Sequence, residues 1–171
     1  MELGLTFPLQ RFLKGKPLPY GSEQNSRFCW DLHVIDLHGR KSLLAVHCPT
    51  RYAFVRFDVR MLEWKNLADL FAKGLKESLL SIGFSEANVK DYLQCAEKIE
   101  FTRTHGRREV AFLNRAWEDV LTLDLCVEKN SQAQPLLDHM VNTRPSRCTG
   151  FEGLGTAEQR ICVSLKEGQC L

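Results

Sequence analysis

The chain has 171 residues, 44% hydrophobic and 26% charged, a composition typical of one globular domain with a substantial apolar core. Its 23 lysines and arginines nearly balance 21 aspartates and glutamates, and a formal charge of +2 excludes a global field that demands a nucleic-acid partner. No apolar run approaches the roughly 18 residues that a membrane helix needs. Glu2 also stands where a signal peptide would be basic, so we expect a cytoplasmic protein without membrane association.

The first 26 residues predict a short strand, a short helix and a loop. "ELGLTF" alternates weakly between apolar and other residues, which favours a strand over 2–7. "PLQRFLK" follows as one or two helical turns, with Pro8 at a position that a helix start tolerates. Residues 15–26 are rich in Gly, Pro and Ser, and they predict a loop.

Residues 28–48 predict a β-hairpin. Apolar side chains alternate with others from Phe28 to Val34, the period of a half-buried strand. "HG" at 38–39 predicts a two-residue turn, in which Gly39 supplies a positive φ, and "KSLLAVHC" returns as the second strand. A strand register centred on this turn places Cys29 opposite Cys48. It also directs one face of the hairpin towards the core.

The hairpin carries His33, His38 and His47, which raises the question of a metal site. The predicted register puts His33 and His47 on opposite faces and His38 in the turn. Metal ligands must converge within about 2 Å of one point, which these three cannot do. A one-residue shift in register would exchange the two faces. With no CxxC pair and no HExxH motif in the sequence, we predict no metal site and no cofactor.

The rest of the chain up to residue 123 contains segments with the apolar spacing of strands and segments with that of helices. A third strand is predicted over 50–59, followed by helices over 66–83 and 85–96, a fourth strand over 98–104 and a long helix over 107–123. The predicted fold is α+β: an antiparallel β-meander of three strands plus one or two further strands, with helices packed on one face. The residues expected to be mostly core are Trp30, Leu32, Val34, Phe54, Leu70, Phe71, Leu75, Phe101, Leu113 and Trp117.

From Glu128 onward the periodic pattern weakens. We therefore predict a single α+β domain over 1–127 and a partly ordered C-terminal extension over 128–171. Within the extension, "PLLDHMVNTR" predicts a short helix and "RICVSL" a short strand. The seven cysteines are odd in number and widely spaced, a pattern that favours reduced thiols over a disulfide framework.

The order of elements from 28 to 123 resembles an uncharacterised bacterial family that is defined only as a domain of unknown function. The shared features are a W-x-A-N-type strand, a turn followed by "RK", a strand near "TRY", an L-x-x-L-F helix and an F-x-K-T-like segment before the last helix. The family tends to carry an uncharged polar residue where this chain has His33. The resemblance implies a plasmid or phage setting, but it implies no activity.

The strongest local charge cluster is "RTHGRRE". Its basic residues lie at a strand end and at a predicted helix start, where free backbone N–H groups favour anions. We predict an anion- or partner-binding surface, to which basic residues of the hairpin and of the next connection would add if the sheet brings these ends together. Its members are Arg40, Lys41, Arg51, Arg103, His105, Arg107 and Arg108.

No residue is predicted to be catalytic. Ser42, His33 and Asp31 lack the strained turn that positions a nucleophile, and a Cys48–His33 thiol–base pair is only weakly indicated. The leading hypothesis is a non-enzymatic protein-interaction module, an inhibitor or neutralising partner encoded by a mobile element or phage. The alternative is a nucleic-acid-binding protein that uses the Arg103–Arg108 surface. A nuclease or thiol hydrolase is the third hypothesis.

Overall fold

The computed structural model describes residues 1–96 and 98–166. Within them the chain forms five strands and seven α-helices, with two short 3-10 turns at 26–28 and 124–126. The strands are β1 (Glu2–Leu5), β2 (Cys29–Leu37), β3 (Arg40–His47), β4 (Ala53–Arg56) and β5 (Glu100–Arg103). The helices are α1 (Phe7–Leu13), α2 (Met61–Lys65), α3 (Leu67–Ser81), α4 (Glu86–Cys95), α5 (Arg107–Thr122), α6 (Pro135–Asn142) and α7 (Ala157–Lys166).

The five strands form one mixed sheet in the order β4-β3-β2-β1-β5. The predicted antiparallel meander is present as β2, β3 and β4, and its register pairs Trp30 with His47 as expected. The sheet as a whole is not antiparallel, because β1 runs parallel to both β2 and β5. The reason is the connection from β1 to β2, which includes α1 and a long loop and so returns the chain to the same end of the sheet.

Helices cover both faces of the sheet, which corrects the prediction that they pack on one face. The first core lies between one face and helices α1, α3, α4 and α7, and it contains Trp30 and Phe54. The second core lies under α5 and α6, and it contains Leu44 and Val55. In the central strands, the residues that face either side of the sheet are apolar, as is usual for strands buried on both faces. Period-2 patterning therefore could not identify a single inner face.

The predicted core is confirmed for most of its members. Trp30, Leu32, Phe54, Leu70, Phe71, Leu75 and Leu113 are buried, whereas Val34, Phe101 and Trp117 are partly buried and pack against the two cores. No helix formed by the described residues is long and apolar enough to cross a bilayer.

The predicted extension is described as far as residue 166; α6 packs against β4, and α7 contributes side chains to the first core. Two side chains of α6 bind the outer edge of β4, where Ala53 N donates to Asn142 Oδ1 (2.8 Å) and Val55 N donates to Asp138 Oδ1 (2.9 Å). The segment "RICVSL" lies in α7 and not in a strand, because Ile161 and Leu165, one helical turn apart, enter the first core.

Candidate functional site

The predicted basic residues do not form one surface. Arg40 and Lys41 lie at the turn between β2 and β3, where they pair with Asp58 (3.5 Å) and Asp36 (3.1 Å). Arg51 follows the far end of β3, a strand of eight residues that spans roughly 25 Å. The guanidinium of Arg51 lies 4.2 Å from the centre of the Phe112 ring, so the two ends of the hairpin carry separate charges.

The basic residues around β5 and α5 are also engaged separately. Arg103 donates to Leu18 O (2.9 Å) and lies over the Tyr20 ring. Arg108 pairs with Glu109 across 2.6 Å, and Arg107 is exposed in the first turn of α5. The predicted member that differs most from expectation is His105, which points into the protein.

His105 lies in a buried polar cluster on the α5 face of the sheet. Its Nδ1 is 2.7 Å from Asp31 Oδ1 and 3.4 Å from Cys48 Sγ, and its Nε2 is 3.4 Å from Glu2 Oε2. Two sets of three potential metal ligands share this histidine: Asp31, Cys48 and His105, and also Glu2, Cys29 and His105. Within each set the donor atoms lie within 4.8 Å of one another. We call these five residues the His105 cluster.

Gly4 makes the approach of His105 to Asp31 sterically feasible. It lies in β1, paired with Asp31 on one side and Thr102 on the other. A Cβ at this position would stand 2.1 Å from Asp31 Oδ1 and 2.9 Å from His105 Nδ1. The absent side chain therefore leaves the space in which the carboxylate and the imidazole meet.

The loop after α1 fixes the Glu2 carboxylate. Backbone N–H groups of Ser22 and Glu23 donate to Glu2 Oε1 at 2.6 and 2.8 Å. Gly21 lies so close that a Cβ there would stand 2.2 Å from Glu2 Oε2. The loop predicted over 15–26 thus holds one carboxylate oxygen and leaves the other facing His105.

Burial and hydrogen bonding shift the ionisation of the His105 cluster in opposite directions. Burial by itself would lower the pKa of His105, but its hydrogen bonds to Asp31 and the two thiols raise that pKa well above its usual value. Burial raises the pKa of Cys48 to about 12, and it raises the pKa of Asp31 against the opposing effect of His105. His105 is therefore an imidazolium beside the Asp31 carboxyl group and the neutral thiol of Cys48.

Three buried atoms of the His105 cluster have no hydrogen-bond partner: Glu2 Oε2, Asp31 Oδ2 and His105 Nε2. The first and third face each other at 3.4 Å, within ion-pair range but outside hydrogen-bond geometry. Asp31 Oδ2 belongs to a residue that is only 1% exposed. Buried polar atoms are almost always paired, so these three mark the His105 cluster as a candidate ligand site.

The three hairpin histidines do not converge, as the sequence indicated. His33 Nδ1 bonds Thr6 Oγ1 (2.8 Å) on one face of the sheet, and His47 bonds Thr50 and the carbonyl of Arg27 on the other. The base nearest to Cys48 is thus His105 and not His33. Sequence reasoning missed this because β1 inserts beside β2, and because His105 lies 57 residues from Cys48. The available signal was the predicted shared face of Cys29, Asp31 and Cys48.

A second feature is an apolar groove beside α1. One cleft of about 590 Å³ lies between α1 and the α2–α3 corner, and a second of about 590 Å³ continues across the end of α1. Both include Leu5, Gln10, Lys14 and Gly15, so we treat them as one surface, the α1 groove. Its apolar wall consists of Leu5, Phe7, Phe12, Leu13, Leu18, Met61, Trp64, Leu67 and Phe101.

The charges of the α1 groove all have one sign among the described residues. Five basic residues line the two clefts, and no acidic residue does; the five are Arg11, Lys14, Lys16, Lys65 and Arg103. Phe7 and Met61, which line the groove, are 70% and 63% exposed. Exposed apolar groups gathered beside a concave surface are typical of binding sites, whereas single ones are not.

The comparison with known protein families gives a match over most of the chain. Residues 2–157 match the model of a family described as a domain of unknown function (DUF6933). The chain belongs to this family. The DUF6933 match extends the resemblance seen in the sequence from 28–123 to include β1, with Glu2 of the His105 cluster, and α6. No curated protein matches the chain.

Proposed function

We propose that the protein is a non-enzymatic binding module whose α1 groove receives an apolar, acidic segment of a partner protein. The observation that carries this proposal is the charge of the groove: five basic residues surround an apolar wall without an acidic residue among those that line it. Helix-in-groove recognition uses this combination, with apolar anchors in the groove and charge pairs at its rim. Complementary charge gives such a pair its specificity and speeds association.

The alternative partner, a nucleic acid bound by the Arg103–Arg108 surface, has less support. Arg103 is held by Leu18 and Tyr20, Arg108 is paired with Glu109, and His105 is buried in its cluster. Catalysis by Ser42 also lacks support, because its hydroxyl donates to the carbonyl of Arg40 and not to a base. The binding module is therefore the proposal that the apolar, basic α1 groove supports.

The proposed setting is a phage or plasmid, and the proposed location is the cytoplasm. The family resemblance implies the setting. The location is supported by free thiols at Cys29, Cys48, Cys126 and Cys148, although Cys95 is disulfide-bonded. In such a setting the module would inhibit or neutralise the protein whose segment it binds.

Selection from a random peptide library tests the proposed function without knowledge of the natural partner. The wild-type protein is expected to enrich peptides that combine Asp or Glu with Leu, Phe or Trp. The double variant Lys16→Glu/Lys65→Glu reverses two charges of the groove and should lose these peptides. The matched control Lys90→Glu/Lys129→Glu changes the net charge equally on exposed residues outside the groove and should keep them. Enrichment of basic or purely polar peptides, or equal binding by both double variants, would overturn the proposal.

A further inference from the structure

We propose that Asp31, Cys48 and His105 bind one Zn²⁺ ion, with Cys29 as the fourth ligand and Glu2 as the residue that orients His105. The carrying observation is geometric. Donor atoms of Asp31, Cys48 and His105 lie within 4.8 Å of one another, and Asp31 Oδ2 is buried without a hydrogen-bond partner. A buried carboxylate oxygen without a protein partner, beside a thiol and an imidazole, is available to bind a metal ion.

The donor set selects the kind of metal. A thiol and an imidazole are soft and borderline ligands that suit Zn²⁺, whereas Mg²⁺ and Ca²⁺ require oxygen ligands alone. In a tetrahedral site with metal–ligand distances of about 2.0–2.1 Å, the ligating nitrogen and oxygen lie about 3.3 Å apart. Asp31 Oδ1 and His105 Nδ1 are 2.7 Å apart, so binding needs a small separation or a turn that presents Oδ2.

The two nitrogens of His105 have different surroundings, which assigns their roles. Nδ1 faces Asp31 and Cys48, and so it is the metal ligand. Nε2 lies 3.4 Å from Glu2 Oε2. In zinc sites a carboxylate commonly accepts a hydrogen bond from the histidine N–H that does not face the metal, and Glu2 stands at that position. The backbone N–H groups of Ser22 and Glu23 hold this carboxylate in turn. Glu2 is therefore a positioning residue.

Cys29 can complete the site without a change in the sheet. In the hairpin Cys29 lies opposite Cys48, and the N–H of Cys48 donates to the Cys29 carbonyl at 3.0 Å. It belongs to the second set of potential ligands, which contains His105 and Glu2 but neither Asp31 nor Cys48, so its thiol must turn towards these two residues to bind the same ion. The proposed ligands Asp31, Cys29, Cys48 and His105 thus include two thiols, a carboxylate and an imidazole. On binding, the thiol protons and the proton on Nδ1 pass to solvent, and Zn²⁺ takes their place.

The depth of the site indicates what the ion would do. Asp31 is 1% exposed and Cys48 is 5% exposed, and none of the described clefts includes either of them. Sites closed to solvent are typical of structural zinc, whereas catalytic zinc keeps an open position. The ion would join β2, the end of β3 and the β5–α5 turn, three segments that are distant in the sequence.

Zinc titration of the intact, chelator-treated protein in competition with a chromophoric chelator tests the proposal. We expect one equivalent of Zn²⁺ in the wild type and a higher melting temperature when the ion is bound. Asp31→Asn and Cys48→Ser should each lower the affinity at least about 10-fold, and Glu2→Gln should lower it by about 10- to 100-fold as an orienting residue does. The matched controls Asp36→Asn and Cys126→Ser lie outside the cluster and should keep wild-type affinity.

Two results would overturn the proposal: a folded wild type that binds less than one equivalent, or wild-type affinity in either Asp31→Asn or Cys48→Ser. If both variants fail to fold, Co²⁺ bound to the wild type decides. A thiolate-to-metal absorption band supports the site, and its absence overturns it. The zinc site is independent of the α1 groove, so peptide selection and metal titration can fail separately.

Discussion

Asp31 Oδ1 and His105 Nδ1 lie 2.7 Å apart, although 74 residues separate them along the chain. Their contact requires that Gly4 carry no side chain between them. We predict that Gly4→Ala lowers the free energy of unfolding by about 1–3 kcal/mol, because the added Cβ overlaps a buried carboxylate and the Thr104 backbone. Urea unfolding measures the effect.

Gly15→Ala is the matched control for this substitution. Gly15 is exposed, and a Cβ there would meet nothing within 4 Å. Its free energy of unfolding should stay within about 0.5 kcal/mol of the wild type, as for most surface substitutions. Equal losses in the two variants would show that Gly4 gives no special room to the Asp31–His105 pair.

A second prediction concerns the hydroxyl of Tyr92, which joins α4 to the sheet. It accepts a hydrogen bond from Trp30 Nε1 (3.1 Å) and donates one to the carbonyl of Arg27 (2.6 Å). Tyr92→Phe leaves the indole N–H buried without this partner, so unfolding should become easier by about 1–3 kcal/mol. Tyr20→Phe removes an exposed hydroxyl and should change little. Thermal unfolding that does not distinguish the two variants would contradict the role of this hydroxyl.

A third prediction separates the two arginines at the start of α5. Arg107 is exposed near the positive end of the helix dipole, so Arg107→Glu should stabilise the fold by about 0.3–1 kcal/mol. Arg108→Glu places a second carboxylate beside the buried Glu109 and removes its 2.6 Å ion pair, so it should destabilise. Equal changes in melting temperature would contradict this distinction.

A fourth prediction concerns pH and the buried Asp138. Burial raises the pKa of this carboxyl well above its usual value, against the opposing hydrogen bond from Val55 N. In the folded protein the Asp138 carboxyl therefore keeps its proton above about pH 4, where the same carboxyl in the unfolded chain releases it. As the pH rises towards the folded pKa, this difference favours the unfolded chain, and the stability that Asp138 contributes decreases. Asp138→Asn keeps the acceptor for Val55 and lacks this titration. Its stability relative to the wild type should therefore increase with pH.

Unfolding of both proteins in urea at several pH values between about 4 and 7 checks the fourth prediction. Asp91→Asn, an exposed control, should differ from the wild type by a similar amount at each pH. A constant difference for Asp138→Asn, or one that decreases with pH, would show that the carboxyl is already ionised in the folded protein.

Local pattern was sufficient to predict the hairpin. Alternating residues in β2 and the positive φ of His38 and Gly39 lead to the observed pairing of Trp30 with His47. Local pattern could not predict that β1 lies parallel to β2, because that pairing depends on a crossover through α1. The two-sided burial of β3 had the same limit, since Leu43 and Leu44 are equally apolar.

The His105 cluster could be predicted only in part. The hairpin register already placed Cys29, Asp31 and Cys48 on one face, but the sequence next to His105 is basic and suggested an exposed loop. Entry of β1 brings Glu2 and Gly4 to the same place, and the turn after β5 then folds His105 over Gly4. Contacts at such separations depend on the tertiary arrangement and not on spacing.

The X-ray absorption spectrum at the zinc edge of the zinc-loaded protein tests the central claim most directly, because it reports the ligand atoms themselves. A site made of Asp31, Cys48, His105 and Cys29 predicts sulfur at about 2.3 Å together with nitrogen or oxygen at about 2.0–2.1 Å. The sulfur contribution should decrease in Cys48→Ser. A spectrum with nitrogen and oxygen neighbours alone, or a sulfur contribution unchanged in Cys48→Ser, would contradict zinc binding at the His105 cluster.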